Sequence, residues 1–89
     1  MAEPQWVEVK DALAEIEAEH DQAIGEFPPF HSAHEGFAVL LEEVEELKAE
    51  VFRRQSSRSQ YQMRKEAAQV GAMALRFIVD CCEPEERER

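Results

Sequence analysis

The sequence predicts an all-α protein, with three main helices in an antiparallel helical bundle completed by oligomerisation. Three observations carry this expectation. Apolar residues recur at spacings of three and four over three long stretches, the period of helices that each bury one stripe. Only three of the 89 residues are Gly, fewer than a turn-rich β architecture needs. The chain is 44% hydrophobic and 34% charged, a balance that can form a core, yet a chain this short buries only about 60 to 65% of its unfolded surface. Residues 1–89 therefore read as one domain whose thin core a second copy would enlarge, so a homodimer or homotetramer is expected.

The first helix is predicted over about residues 4–24, because Pro4 suits a first turn and Gly25 a position just past an end. Its seam is Trp6, Val9, Leu13, Ile16, His20 and Ala23, and its acidic faces are expected to meet water. Pro28 and Pro29 cannot continue a helix and force the preceding residue toward extended geometry. Ser32 followed by Glu35 fits a capping box, opening a second helix over about residues 33–53 with the seam Phe37, Leu40, Val44, Leu47 and Val51. The polar, basic "RRQSSRSQ" makes the next break, and Ser59 with Gln62 offers a second capping box. The third helix is predicted over about residues 59–82 along Met63, Glu66, Val70, Met73, Phe77 and Cys81. Pro84 closes it, and residues 83–89 form a frayed, charged tail.

A net charge of −10 argues against a nucleic-acid partner, whose phosphates need clustered Lys and Arg. No apolar run approaches a membrane span and the N-terminus lacks the apolar core of a signal peptide, so a cytoplasmic protein is expected. Cys81 and Cys82 are adjacent, which makes a mutual disulfide sterically poor, and both read as reduced thiols. Charge is uneven along the chain. Residues 1–52 hold fourteen acids and two bases, whereas residues 53–65 hold Arg53, Arg54, Arg58, Arg64 and Lys65 with no acid. That segment could hold a small anion, or simply balance its acidic neighbour.

The second helix carries "LLEEVEELKAEV". At 100° per residue, Glu43, Glu46 and Glu50 fall within about 60° of arc at the edge of the apolar seam. Such stacking of like charges destabilises a helix unless something positive lies between them. Glu66 lies in the middle of the third seam, facing the same interior, where an unpaired carboxylate is costly or takes up a proton. A salt bridge to Arg53, Arg64 or Arg76 would resolve the conflict, and so would a hard divalent cation, Mg²⁺ or Mn²⁺, with oxygen ligands.

The motifs Glu43-Val44-Glu45-Glu46 and Glu66-Ala67-Ala68-Gln69, nineteen residues apart on successive helices, resemble those of the MazG-like all-α nucleoside triphosphate pyrophosphohydrolases. That family pairs ExxE on one helix with ExxD on the next to hold Mg²⁺. The run "HSAHEGFAVLLEEVEELKAEV" also resembles the small stand-alone bacterial and phage type, and the resemblance covers about residues 30–80. It implies hydrolysis of a nucleoside triphosphate to the monophosphate and pyrophosphate. Glu43, Glu46 and Glu66 would be metal ligands, Gln69 a weaker or indirect one, and Glu50 a water-orienting base. Arg54, Arg58, Arg64 and Lys65 would hold the substrate phosphates. Gln69 stands where the family has an acid, and an amide supplies an oxygen but no charge. A non-catalytic nucleotide- or metal-binding helical module is therefore the alternative. A di-iron bundle built on Glu17 and His20 is a third reading, which would need two copies to supply two such pairs.

Overall fold

A computed structural model describes residues 8–82, in which three helices and one short 3-10 turn are present and no strand. Helix α1 spans Val9–Glu26, α2 Ala33–Val51 and α3 Gln60–Cys81, with the 3-10 turn at Gln55–Ser57 between α2 and α3. The all-α expectation holds. Trp6, the start near residue 4, Pro84 and the tail 83–89 lie outside the described residues.

The helix ends follow local chemistry. Gly25 does not end α1, which continues to Glu26 and stops at Phe27 with φ −133° and ψ 144°. Pro28 sets that stop, since the residue before a proline is driven into extended geometry. Ser32 Oγ accepts from Glu35 N at 3.1 Å, as a capping box requires. The Glu35 carboxylate reaches back to His31 N, one residue earlier than the ideal motif, so the box also anchors the preceding loop. At α3, Ser59 Oγ accepts from Gln62 N at 3.1 Å.

Helix α3 is the centre of the molecule. It packs on both α1 and α2, whereas α1 and α2 do not pack on each other. Gly36 of α2 approaches Phe77 and Cys81, and further down α2 Glu43 and Glu46 meet Glu66, so α2 and α3 run antiparallel. On the other side Glu15 meets Arg64, Glu19 meets Gln69 and the Ala23 carbonyl meets Arg76, so α1 and α3 run parallel. Small residues make that second interface. A Cβ on Gly71 would stand 2.8 Å from Ile16 Cδ1, while Ala68 and Ala72 are buried beside it. This allows close approach but gives a weak hydropathy signal.

One α1 carbonyl end is closed by a side chain from α3. Arg76, 3% exposed, donates from Nη1 to the Ala23 carbonyl at 3.1 Å and from Nη2 to the Phe27 carbonyl at 2.7 Å. Its Nε donates to Asp80 at 3.0 Å, and its guanidinium lies 5.4 Å from the centre of the Phe30 ring. Asp80 also accepts from Phe30 N at 3.1 Å. The Ala23 carbonyl also accepts from Phe27 N at 2.9 Å, so the guanidinium adds a second donor there and supplies one to the C-cap carbonyl of Phe27, where a helix end runs short of donors.

The predicted seams are buried unequally. That of α3 is half-buried or buried throughout. On α2, Leu40 and Leu47 turn toward α3 together with Glu43 and Glu50, whereas Phe37, Val44 and Val51 are exposed. Val9 and Leu13 are likewise exposed on α1. The apolar residues that are fully buried are small or flexible, namely Ala23, Ala68, Ala72 and Met73.

Candidate metal centre

Three- and four-residue spacing on facing antiparallel helices brings Glu43, Glu46 and Glu66 together. Each contributes a carboxylate oxygen within 4.8 Å of the other two. Glu43 and Glu66 are half-buried and Glu46 is exposed, so the group opens to solvent on one side. Among the described residues, no other group of three His, Cys, Asp or Glu is arranged in this way.

The electrostatics of the group are unfavourable as it stands. Burial, then the charges of Glu46 and Glu66, push the Glu43 carboxyl up to about 6. Burial and then the Glu46 charge raise that of Glu66 as well, with Lys65 acting weakly the other way. Glu66 Oε1 is buried with no hydrogen-bond partner. A buried acceptor left unsatisfied costs on the order of 1–3 kcal/mol.

The arginines expected to neutralise the group form their salt bridges elsewhere. Arg53 forms a two-pronged pair with Glu50, at 3.1 and 3.0 Å. Arg64 pairs with Glu15 at 2.6 Å, and Arg76 with Asp80. Among the described residues no Lys, Arg or His forms an ion pair with Glu43, Glu46 or Glu66.

Compared with known proteins, the chain matches no family model, no curated protein and no solved structure. Oxygens on opposite sides of an Mg²⁺ ion, each about 2.1 Å from it, stand about 4.2 Å apart. Of three ligands at most one pair can be opposite, and neighbouring oxygens stand about 3.0 Å apart, so three oxygens within 4.8 Å of one another reach one such ion with side-chain movements on the order of an ångström. The donor set is all oxygen and anionic, as a hard cation prefers, and the orphaned Glu66 Oε1 lacks any other partner.

The remaining sequence-predicted residues are placed as follows. Gln69 donates its amide nitrogen to Glu19 Oε1 at 2.7 Å, which ties it to α1 and leaves its carbonyl oxygen as the free acceptor. Glu50 is held by Arg53, so any water-orienting role would require that pair to open. Arg58 donates to the Val51 carbonyl at 3.1 Å, closing the end of α2, and Arg64 is engaged by Glu15. Arg54 is the N-cap of the 3-10 turn and its carbonyl accepts from Ser57 N. Lys65 lines an open groove with Tyr61 and Arg64 between α1 and α3. The basic segment is thus divided between structural duties and one exposed groove. Glu17 is exposed and His20 is buried, 3.8 Å from Asp21, so they do not present a joint ligand pair.

A cleft of about 440 Å³ adjoins the carboxylates, with Glu43 in its wall. Phe27, Phe30, Val39 and Met73 supply its apolar surface, and Glu19, Gln69 and Arg76 contribute polar walls. This cavity has no signature in the sequence, because it depends on α1 docking against α3. The one available signal was the unhelical "FPPFH", which carries two aromatic residues on a rigid connection.

Proposed function

We propose that the protein is a MazG-like, Mg²⁺-dependent nucleoside triphosphate pyrophosphohydrolase, cleaving its substrate to the monophosphate and pyrophosphate. The observation that carries this reading is the convergence of Glu43, Glu46 and Glu66 from two helices with no cationic partner among the described residues. A carboxylate cluster repels a polyanion, so a cation must stand between them. When bound, Mg²⁺ would polarise phosphoryl oxygens and acidify water, with Mn²⁺ an alternative ion. Glu43, Glu46 and Glu66 would hold it, with Gln69 contributing at most a neutral oxygen through its free carbonyl. Lys65 and Arg64, at the start of α3, are the cations nearest in sequence to Glu66 that could meet the outer phosphates.

The test is pyrophosphate release from a panel of canonical and modified nucleoside triphosphates with Mg²⁺, beside the double variant Glu43→Ala, Glu46→Ala. Release by the wild type and its loss in the variant are expected. No release across the panel, together with cation-dependent thermal stabilisation, would instead establish the non-catalytic binding module.

Self-association belongs to the same reading. On a 100° wheel six of the exposed apolar residues lie on the side away from those lining the cleft. Leu13 and Ile24 oppose Gln22 and Glu26 on α1, Phe37, Leu41 and Val44 oppose Glu35 and Glu42 on α2, and Ile78 opposes Gln69 on α3. A helical layer with one uncovered apolar face meets the physical requirement for a second layer. A second copy suits it, because these side chains, 41–59% exposed, offer a surface approaching the about 800 Å² per partner of a standard interface. The acidic clefts would then face outward. Sedimentation should give a dimer or tetramer at micromolar concentration, and a monomer there would contradict the pairing. No helix among the described residues is long and apolar enough to cross a membrane.

A further inference from the structure

We infer that the cleft beside the carboxylates takes a nucleobase bearing an exocyclic amino group, and that Glu19, fixed by Gln69, is the residue that selects it. The nucleotide nature of the ligand rests on the proposed function; the selection rests on the cleft itself. Its floor is apolar and flat-sided. Phe27 presents an exposed ring, Phe30 is half-buried, and Val39 and the buried Met73 close the bottom. A cavity of about 440 Å³ lies within the range that holds small molecules, about 300–1,000 Å³.

Carboxylates dominate the polar wall around that floor, beside His31 and two amides. Glu19, Glu26, Glu35 and Glu42 all line the cleft. Its two amides are turned the same way: Gln69 donates to Glu19 at 2.7 Å and Gln22 donates to Glu26 at 3.3 Å. Each amide spends a donor on a carboxylate and keeps its carbonyl oxygen. Arg76, the lining cation, has each of its three nitrogens bound, by Asp80 and by the carbonyls of Ala23 and Phe27. The cleft therefore has no free guanidinium for a phosphate, and a phosphate would meet carboxylates on several sides.

A planar ring whose edge offers N–H groups meets these requirements. The amino groups of cytosine, adenine and guanine can donate to the free Glu19 oxygen and to the Gln69 carbonyl. Uracil and thymine place two carbonyls beside their single N–H, and a carboxylate facing a carbonyl is left unpaired and repelled. Glu19 and Gln69 sit one above the other on parallel helices, and their mutual hydrogen bond fixes both before a ligand arrives.

Nucleosides without phosphate, added without Mg²⁺ and followed by ¹H–¹⁵N NMR titration, test the cleft apart from the carboxylate site. Cytidine and adenosine should bind at least about tenfold more tightly than uridine and thymidine, with the largest shifts around Val39, Gln69 and Met73. Glu19→Gln can still pair with Gln69 and gains a donor, and it should reduce that preference to about threefold or less. Val39→Trp should fill the cleft and abolish binding of all four nucleosides while preserving the helical spectrum. Equal binding of uridine and cytidine, an unchanged preference in Glu19→Gln, or the absence of nucleoside shifts at millimolar concentration would each overturn the inference. Loss of base preference with pyrophosphate release intact would leave the proposed function standing, and base preference without release would leave only the cleft assignment standing.

Discussion

Two groups of charged side chains sit on α3, one at each end of the same packed face, and they are solved differently. At Arg76 and Asp80 each of the three nitrogens of a nearly buried guanidinium has a partner, drawn from α1, the loop and α3 itself. Ten residues earlier, Glu66 meets Glu43 and Glu46 with no cation in an ion pair and one buried oxygen unsatisfied. The first arrangement costs desolvation but repays it through hydrogen bonds that hold three elements in one geometry. The second stores repulsion that only a proton or a cation relieves. A satisfied group and an unsatisfied one are thus separated along a single helix.

Breaking the satisfied group should have the largest effect. Arg76→Ala leaves the Asp80 carboxylate without its cation and the Phe27 carbonyl without its donor, and urea denaturation should show a loss of about 3–5 kcal/mol. The tight packing around this end gives the next effect. A Cβ at Gly36 would stand 2.8 Å from Phe77 and 2.9 Å from Phe30, so Gly36→Ala should cost about 1–2 kcal/mol despite the better helix propensity of alanine.

The unsatisfied group should respond in the opposite direction. Glu66→Gln removes a charge from the cluster and should raise the stability of the cation-free protein by about 1 kcal/mol at pH 7.5, a few degrees in Tm. It should also abolish any stabilisation by Mg²⁺.

The smallest effect is the pH dependence. Glu43 titrates near 6 in the folded chain and near 4.5 when unfolded, so the folded state holds its proton more tightly. Cation-free stability should therefore be highest below about pH 4.5 as far as this group is concerned. It should fall as pH rises through 6, by about 1 kcal/mol after screening by solvent. The Mg²⁺-dependent gain should run the other way and grow above pH 6, because protons and the cation compete for the same oxygens. Melting curves at pH 5 and 7.5, with and without Mg²⁺, measure both slopes.

Much of the helical frame was legible because its signals are local. Ser32 and Ser59 cap where the sequence places them, and Pro28 ends α1 even though Gly25 was the expected stop. Glu43, Glu46 and Glu66 were legible as a group because their spacing fixes their helix faces. The docking of α1 was not, since Ala68, Gly71 and Ala72 form the receiving surface and carry little hydropathy. The partners of the arginines were equally hidden. Arg53 takes Glu50, three residues back on α2, and Arg64 crosses to Glu15 on α1 and not to Glu66, and such choices depend on rotamers and interhelical register. The α2 seam misled for a related reason: its wide apolar stripe faces α3 with only one edge, and that edge includes Glu43 and Glu50.

The most direct test of the central claim is calorimetric titration of the purified protein with Mn²⁺ and Mg²⁺ at pH 7.5, beside Glu66→Gln and Glu43→Gln. One saturable site per chain, accompanied by proton release and weakened at least about tenfold in either variant, is the expected result. Absence of saturable binding, or equal binding by the variants, would show that the three carboxylates are not a cation site.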